Sequence, residues 1–282
     1  MINLLFATDK KYIQHLTVTL QSIFENNKNT SFKVFLLVEE EPDQKFGKVV
    51  ETLSRVGVEH SFLKIDLKKF SQFEVDRHVT LASYFRLILG DVLPPEINKI
   101  IYFDSDLVVC SDIGDLWGIN VKGYALAAVE DSKFNRHSDL KIPLSASYFN
   151  AGVLVINVDF FRRTSFFKSA TSYYLSNQEK ILWWDQDILN GLLFNNWYKL
   201  ENAWNVTTTE VDSYVKKSSS ISPKIIHYTG SSKPWHFQNK HPLKQEYYYY
   251  LHKTPFKNFS PFIEYLKNKV EYLLKGRSSF LK

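Results

Sequence analysis

The ten residues Ile100-Ile101-Tyr102-Phe103-Asp104-Ser105-Asp106-Leu107-Val108-Val109 constrain this chain more than any other stretch. A run this apolar reads as a strand buried on both faces, the kind found inside a layered α/β sheet. Its polar break carries two carboxylates one residue apart. At the end of a buried strand two ionised Asp groups repel each other and lose hydration, unless a cation bridges them. Alternation along an extended chain puts Asp104 and Asp106 on one face, where they can grip one ion together. Oxygen donors favour Mg²⁺ or Mn²⁺, which keep positions open for substrate phosphates. The same Asp-x-Asp spacing also occurs in turns and solvated loops, so its meaning depends on the rest of the chain.

Two further segments supply matching chemistry. His227-Tyr228-Thr229-Gly230-Ser231-Ser232-Lys233-Pro234-Trp235 follows the short apolar strand Lys224-Ile225-Ile226. It offers an imidazole, a flexible backbone and a cation, which are parts for holding a diphosphate. At the other end, Leu4-Leu5-Phe6-Ala7-Thr8-Asp9-Lys10-Lys11-Tyr12 runs from a strand into a loop, the place where open α/β sheets bind nucleotides.

Periodicity fills in the frame. Ile13, Leu16, Leu20, Ile23 and Phe24 have helical spacing. Phe32 to Val38 and Ser61 to Ile65 read as strands around a charged helix near Asp43 to Arg55. This alternation predicts a parallel nucleotide-binding sheet. Ala125 to Val129 and Gly152 to Asn157 are further strands, and Glu130 to Ser147 is a polar excursion long enough for a lid or acceptor loop. Ser218-Ser219-Ser220 is a surface loop rather than a domain linker.

Six ordered blocks resemble the retaining glycosyltransferases of family 8: Ala7 to Tyr12, Tyr84-Phe85-Arg86-Leu87, Tyr102 to Asp106, Phe149-Asn150-Ala151-Gly152-Val153, Asp185-Gln186-Asp187-Ile188-Leu189-Asn190 and His227 to Trp235. The resemblance implies a GT-A type, Rossmann-like mixed sheet flanked by helices. It implies a catalytic domain over residues 1–240, followed by a small basic, aromatic helical extension over 241–282. The implied activity moves galactose or glucose from UDP-galactose or UDP-glucose to a glycan acceptor, lipid-linked in lipopolysaccharide or capsule synthesis, or else carried on a surface adhesin. Asp104, Asp106 and His227 match the ligands of a Mn²⁺ ion, for which Mg²⁺ could substitute. Ala7, Thr8, Asp9 and Tyr12 match positions around uracil and ribose; Ser105, Gly230 and Lys233 match positions beside the metal and diphosphate. Arg86, Asn150, Ala151, Asp185 and Gln186 match those around the donor sugar. His78 stands near the diphosphate and acceptor positions. Gln186, with Asp185 and Asp187, forms the catalytic set. An amide where a double displacement wants a carboxylate favours attack from the leaving-group face, with Asp187 as nucleophile the alternative. The Trp183-Trp184 pair reads as core or as a sugar platform.

Two rivals carry less of the chain. The Ile100 to Val109 run also looks like the first motif of haloacid-dehalogenase-type phosphatases, but that motif opens its chains and gives the His227 block no role. A non-catalytic carbohydrate-binding protein on the same fold fits poorly with intact metal and phosphate positions.

Charge is uneven: of the net +5, residues 240–282 carry +6, from nine Lys and Arg against three Glu, with ten aromatic residues among them. Ser260 as N-cap, Pro261 as first residue and Gly276 as stop predict a helix, with Phe262, Ile263, Leu266, Val270, Leu273 and Leu274 on one stripe. This stripe either packs on its own domain or lies on an anionic membrane surface. No recognised nucleic-acid fold accompanies the basic residues. The lone Cys110 excludes an internal disulfide framework and reads as a small buried hydrophobe. No signal-like start and no apolar run near 18 residues appears, so the expected place is the cytoplasm, on the inner face of the membrane. Asn29-Thr30-Ser31, Asn205-Val206-Thr207 and Asn258-Phe259-Ser260, formal glycosylation acceptors, should then stay unmodified.

Overall fold

The computed structural model describes residues 1–75, 80–216 and 222–275. His78, the Ser218–Ser220 loop and Gly276 lie outside the described residues, as do the side chains of Leu273 and Leu274.

Among the described residues ten strands follow in chain order: β1 (Ile2–Ala7), β2 (Phe32–Val38), β3 (Glu59–Lys64), β4 (Lys99–Phe103), β5 (Leu107–Val109), β6 (Leu126–Glu130), β7 (Phe149–Asn157), β8 (Trp197–Lys199), β9 (Val206–Thr207) and β10 (Ile225–His227). Seven form one sheet in the order β3-β2-β1-β4-β7-β6-β8, and β5-β10-β9 form a second. Pairing is parallel from β3 to β4, as the alternation predicts, but β7 runs antiparallel to both β4 and β6, so the large sheet is mixed.

Side-chain alternation builds a core on each face. Leu5, Phe35, Leu37, Ile100 and Tyr102 join the helices Phe166–Asn177 and Trp184–Leu193 on one side. Leu4, Phe6, Val34, Leu36, Ile101 and Phe103 meet the helix Ile13–Asn26 on the other. The predicted stripe Ile13, Leu16, Leu20, Ile23 and Phe24 is entirely buried there, at about 1.5–3 kcal/mol per side chain.

The opening run is not one strand. β4 ends at Phe103, Asp104-Ser105-Asp106 make the turn, and β5 leaves the large sheet to pair antiparallel with β10. Carboxylates cannot continue a ladder that is buried on both faces, so the chain peels away where its polar residues begin. The helix Ile13–Asn26 holds the departing strand. Thr19 Oγ1 reaches the carbonyls of Ser105 (3.1 Å) and Leu107 (2.7 Å), and Ser22 Oγ accepts from Val109 N (2.9 Å).

The basic extension divides in two. The helix Lys244–Leu251 sinks Tyr247, Tyr250 and Leu251 against Val18, Val108, Ile226 and Tyr228, as part of the body. The helix Pro261–Lys275 starts at the predicted proline, with Ser260 Oγ accepting from Ile263 N, and leaves Phe262, Ile263, Leu266 and Val270 exposed. Among the described residues no helix is long and apolar enough to cross a membrane.

Candidate active site

Every site residue named from the sequence, except Asp187 and the undescribed His78, lines one cavity of about 1170 Å³ at the carboxyl ends of β1 and β4. Its centre is the turn after β4. Arg86, delivered by the segment Leu81–Ile88, lies over the Tyr102 ring at 4.1 Å and donates from Nη2 to Asp104 Oδ1 at 2.8 Å. It also donates to the Ala151 carbonyl. Tyr102 Oη donates to the same Asp104 oxygen at 2.8 Å. Arg86 Nε stands 2.8 Å from Asp185 Oδ2 but off the line of a hydrogen bond, so that contact is Coulombic. Burial, offset in part by Arg86 and reinforced by Asp104, pushes the Asp185 carboxyl up to about 7. Removing one partner from a buried pair of this kind costs about 3–5 kcal/mol.

The remaining carboxylate oxygens face a single point. Asp104 Oδ2 is 3.6 Å and Asp106 Oδ1 3.3 Å from His227 Nε2. The other Asp106 oxygen meets Lys233 Nζ at 2.5 Å, and Lys233 donates as well to the Tyr228 carbonyl at 2.7 Å. Against burial, which alone would raise it, Lys233 and His227 hold the Asp106 carboxyl well below the usual range. The imidazole is oriented from behind: Nδ1 lies 3.0 Å from Asn205 Oδ1, and Asn205 Nδ2 donates to Asn150 Oδ1 at 2.8 Å. An amide oxygen can only accept, so Nδ1 carries the proton and Nε2 keeps its lone pair. Two carboxylate oxygens and an imidazole nitrogen, all within 4.8 Å of one another, can hold a divalent cation. This convergence requires glycine at 152, because a Cβ there would lie 2.1 Å from His227 Cε1 and 2.9 Å from Asp104 Oδ2.

Around this centre, Asp9 Oδ1 accepts from the amides of Lys11 (2.7 Å) and Tyr12 (3.1 Å), fixing the turn that presents Tyr12. Tyr12 meets Trp235 edge-on, with ring centres 6.0 Å apart, while Trp235 stacks on His15 at 3.4 Å. Gly230 takes φ +84°, a left-handed conformation that bends the loop carrying Lys233. Trp184 packs on the core, as the core reading of the pair expects, and both Trp183 and Trp184 border the cavity. Burial pushes the half-buried Cys110 thiol up to about 12.

Asp187 stands apart from this group. It is fully buried and does not border the cavity. Its Oδ1 accepts from Tyr148 Oη at 2.8 Å, and Oδ2 from the amides of Leu182 and Trp183 at 2.8 and 2.9 Å, with Arg136 Nη2 at 3.4 Å. A carboxylate so enclosed has both oxygens taken up by neighbours and lies behind the cavity wall. Sequence reasoning also left several residues without a role: Tyr102, Tyr148, Asn205 and Asp131. Asp131, at 5% exposure in the cavity wall, has an Oδ1 with no hydrogen-bond partner. Burial, reinforced by Glu210, pushes its carboxyl up to about 6. Tyr148 adjoins a recognised block, Tyr102 opens one, and Asp131 follows a strand end; Asn205 depends on pairings distant in sequence.

Residues 3–239 match the glycosyl transferase family 8 profile. General stress protein A of Bacillus subtilis is 27% identical over 270 residues, spanning 90% of this chain and 94% of its own length. The lipopolysaccharide 1,2-glucosyltransferase of Escherichia coli K12 is 26% identical over 273 residues, spanning 92% of this chain and 80% of that protein. Among solved structures, the galactosyltransferase LgtC bound to donor and acceptor sugar analogues shares the fold at a TM-score of 0.83, covering 90% of this chain and 96% of its own, with 24% identity. The profile match begins in the first strand and runs past the last residue of the cavity, and the chain therefore belongs to glycosyltransferase family 8.

Proposed function

We propose that this chain is a retaining hexosyltransferase, moving galactose or glucose from a UDP-sugar to a cell-surface glycan precursor such as that of lipopolysaccharide or capsule. The observation that carries this reading is the convergence of Asp104, Asp106 and His227 beside Lys233 at one end of a cavity of about 1170 Å³. Pockets for one small ligand are commonly ~300–1,000 Å³, so donor and acceptor fit together. With Mn²⁺ or Mg²⁺ held by the trio, a Lewis acid would neutralise the departing diphosphate. Lys233 adds a second positive charge there, and the loop turned by Gly230 brings backbone amides to the same oxygens. Tyr12 and Asp9 supply a face and an acceptor for the base. Arg86, Asn150 and Asp185 surround the sugar, with Gln186 as the polar group beside the anomeric carbon. Because that group is an amide and Asp187 is enclosed, departure and attack on one face, with the leaving phosphate as base, fit these residues better than a covalent intermediate does. Asp131, Phe134 and Trp183 line the wall left for the acceptor.

The exposed stripe Phe262, Ile263, Leu266 and Val270, beside Lys267 and Lys269, suits an anionic membrane surface on the cytoplasmic side, where a lipid-linked acceptor would be met.

UDP release from UDP-galactose and from UDP-glucose, followed with Mn²⁺ and with excess chelator, tests the activity. Metal-dependent release and an α-linked product by anomeric proton coupling are expected. Undiminished release in chelator, or a β-linked product, overturns the reading.

A further inference from the structure

The Gln186 side chain is tied at both ends. Its Oε1 accepts from Ala151 N at 3.0 Å and its Nε2 donates to Tyr148 Oη at 3.1 Å. Tyr148 in turn donates to Asp187 Oδ1 at 2.8 Å. The direction of each bond follows from the one behind it. Asp187 receives two backbone amides and lies against Arg136, so it is held as an acceptor. The single Tyr148 proton must therefore point at Asp187, which leaves the phenol oxygen only a lone pair for Gln186. That lone pair selects the NH₂ end of the amide, and Ala151 N–H selects the oxygen end. A flipped amide would set two donors against each other at Ala151 and two acceptors against each other at Tyr148.

An amide has two hydrogens and two acceptor lone pairs. One of each is spent on these tethers, and one of each remains on a side chain that lines the cavity. We propose that Tyr148 is a positioning residue that fixes the orientation of the Gln186 amide against the donor sugar, with buried Asp187 setting the direction of the tether; this rests on the transferase reading above. Arg136, which ties the β6–β7 loop to the Lys180 carbonyl and pairs with Asp139 within that loop, brings the loop to the same carboxylate. The fixed amide thus stands on the segment that borders the acceptor wall.

Tyr148→Phe keeps the ring, and its packing on Phe134, while removing the tether. We expect UDP affinity within about threefold of wild type and turnover lower by about ten- to a hundredfold, the scale of a misplaced reacting group. In a cycle with Gln186→Ala the double variant should be no slower than the slower single one, because both changes remove the same thing. The Gln186 side-chain NH₂ pair, identified by its disappearance in Gln186→Glu, should shift and exchange faster with solvent in Tyr148→Phe by ¹⁵N NMR. An unmoved NH₂ pair, or losses that multiply in the double variant, overturns the proposal. A wild type that neither binds UDP nor turns over a UDP-hexose sinks the transferase reading instead, and the NH₂ signal then decides the tether by itself.

Discussion

The two ends of the cavity are built differently. At the donor end, Arg86, Tyr102, Lys233 and Asn205 each hold one side of a carboxylate or imidazole and leave the other side facing a common point. The groups they hold, Asp104, Asp106 and His227, sit on a helix-braced turn and a strand end, with their orientation fixed by these neighbours. At the acceptor end the wall comes from a loop and from rings. Phe134 meets Trp183 edge-on at 5.0 Å, and the buried Asp131 keeps an oxygen unpaired. A buried polar atom without a partner costs about 1–3 kcal/mol, a cost that a ligand hydroxyl can remove. One end has its charged groups held in place by neighbours; the other keeps a buried acceptor that a ligand hydroxyl could satisfy.

Breaking the donor end should give the largest effect. Asp106→Asn removes a charged ligand and the partner of Lys233 together, and turnover should fall by at least about a hundredfold. Rate measurements at rising Mn²⁺ check this, and near-normal turnover would show the trio to be dispensable. The acceptor end should respond less and in a different constant. Asp131→Asn should raise the KM for acceptor by about tenfold, the value of one charge-assisted hydrogen bond, while the KM for donor stays unchanged. The same variant has a stability signature. The Asp131 carboxyl titrates near 6 in the folded protein, above its ordinary value, so the folded form holds that proton more tightly. The associated stability is complete below the ordinary carboxylate range and is lost as pH rises through 6. Melting curves should therefore show a larger gain for Asp131→Asn at pH 8 than at pH 5, and a gain equal at both would contradict the burial argument. The smallest effect on catalysis should come from outside the cavity. Deleting residues 259–282 should release the protein from anionic liposomes at low salt and leave turnover on a short soluble acceptor within about twofold, since attraction of this kind is screened surface charge. Phe237 also meets Phe262 and Tyr265, at ring distances of 5.2 and 5.6 Å, so a fall in melting temperature with unchanged liposome binding would assign the helix to packing alone.

Much of the donor end was legible because it is written in contiguous blocks: a strand, its polar break, and a histidine at the end of another strand. Alternation alone places Tyr102 and Phe103 on opposite faces of the sheet. The division of the Ile100 to Val109 run between two sheets was not legible, since Leu107-Val108-Val109 is equally apolar in either. Asn205 read as a formal glycosylation acceptor, yet it is fully buried against His227, a placement fixed by β9 lying beside β10. Asp185 and Asp187 looked equivalent in sequence. On the helix Trp184–Leu193, two residues turn the side chain by about 200°, so one faces Arg86 and the other the protein interior.

The departure of β5 from the large sheet has a further consequence. In its pairing with β10, His227 stands opposite Leu107, immediately beside Asp106, although the two ligands are far apart along the chain. The jaws of the site are thus mounted on one short ribbon, like the arms of a caliper on a shared hinge. Their spacing is set by the β5–β10 pairing and by the Tyr228 amide, which donates to the Asp106 carbonyl at 3.0 Å, rather than by the seven-stranded sheet. The wall residues Asp131 and Phe134, between β6 and β7, lie outside that ribbon and can vary without changing the spacing of Asp106 and His227.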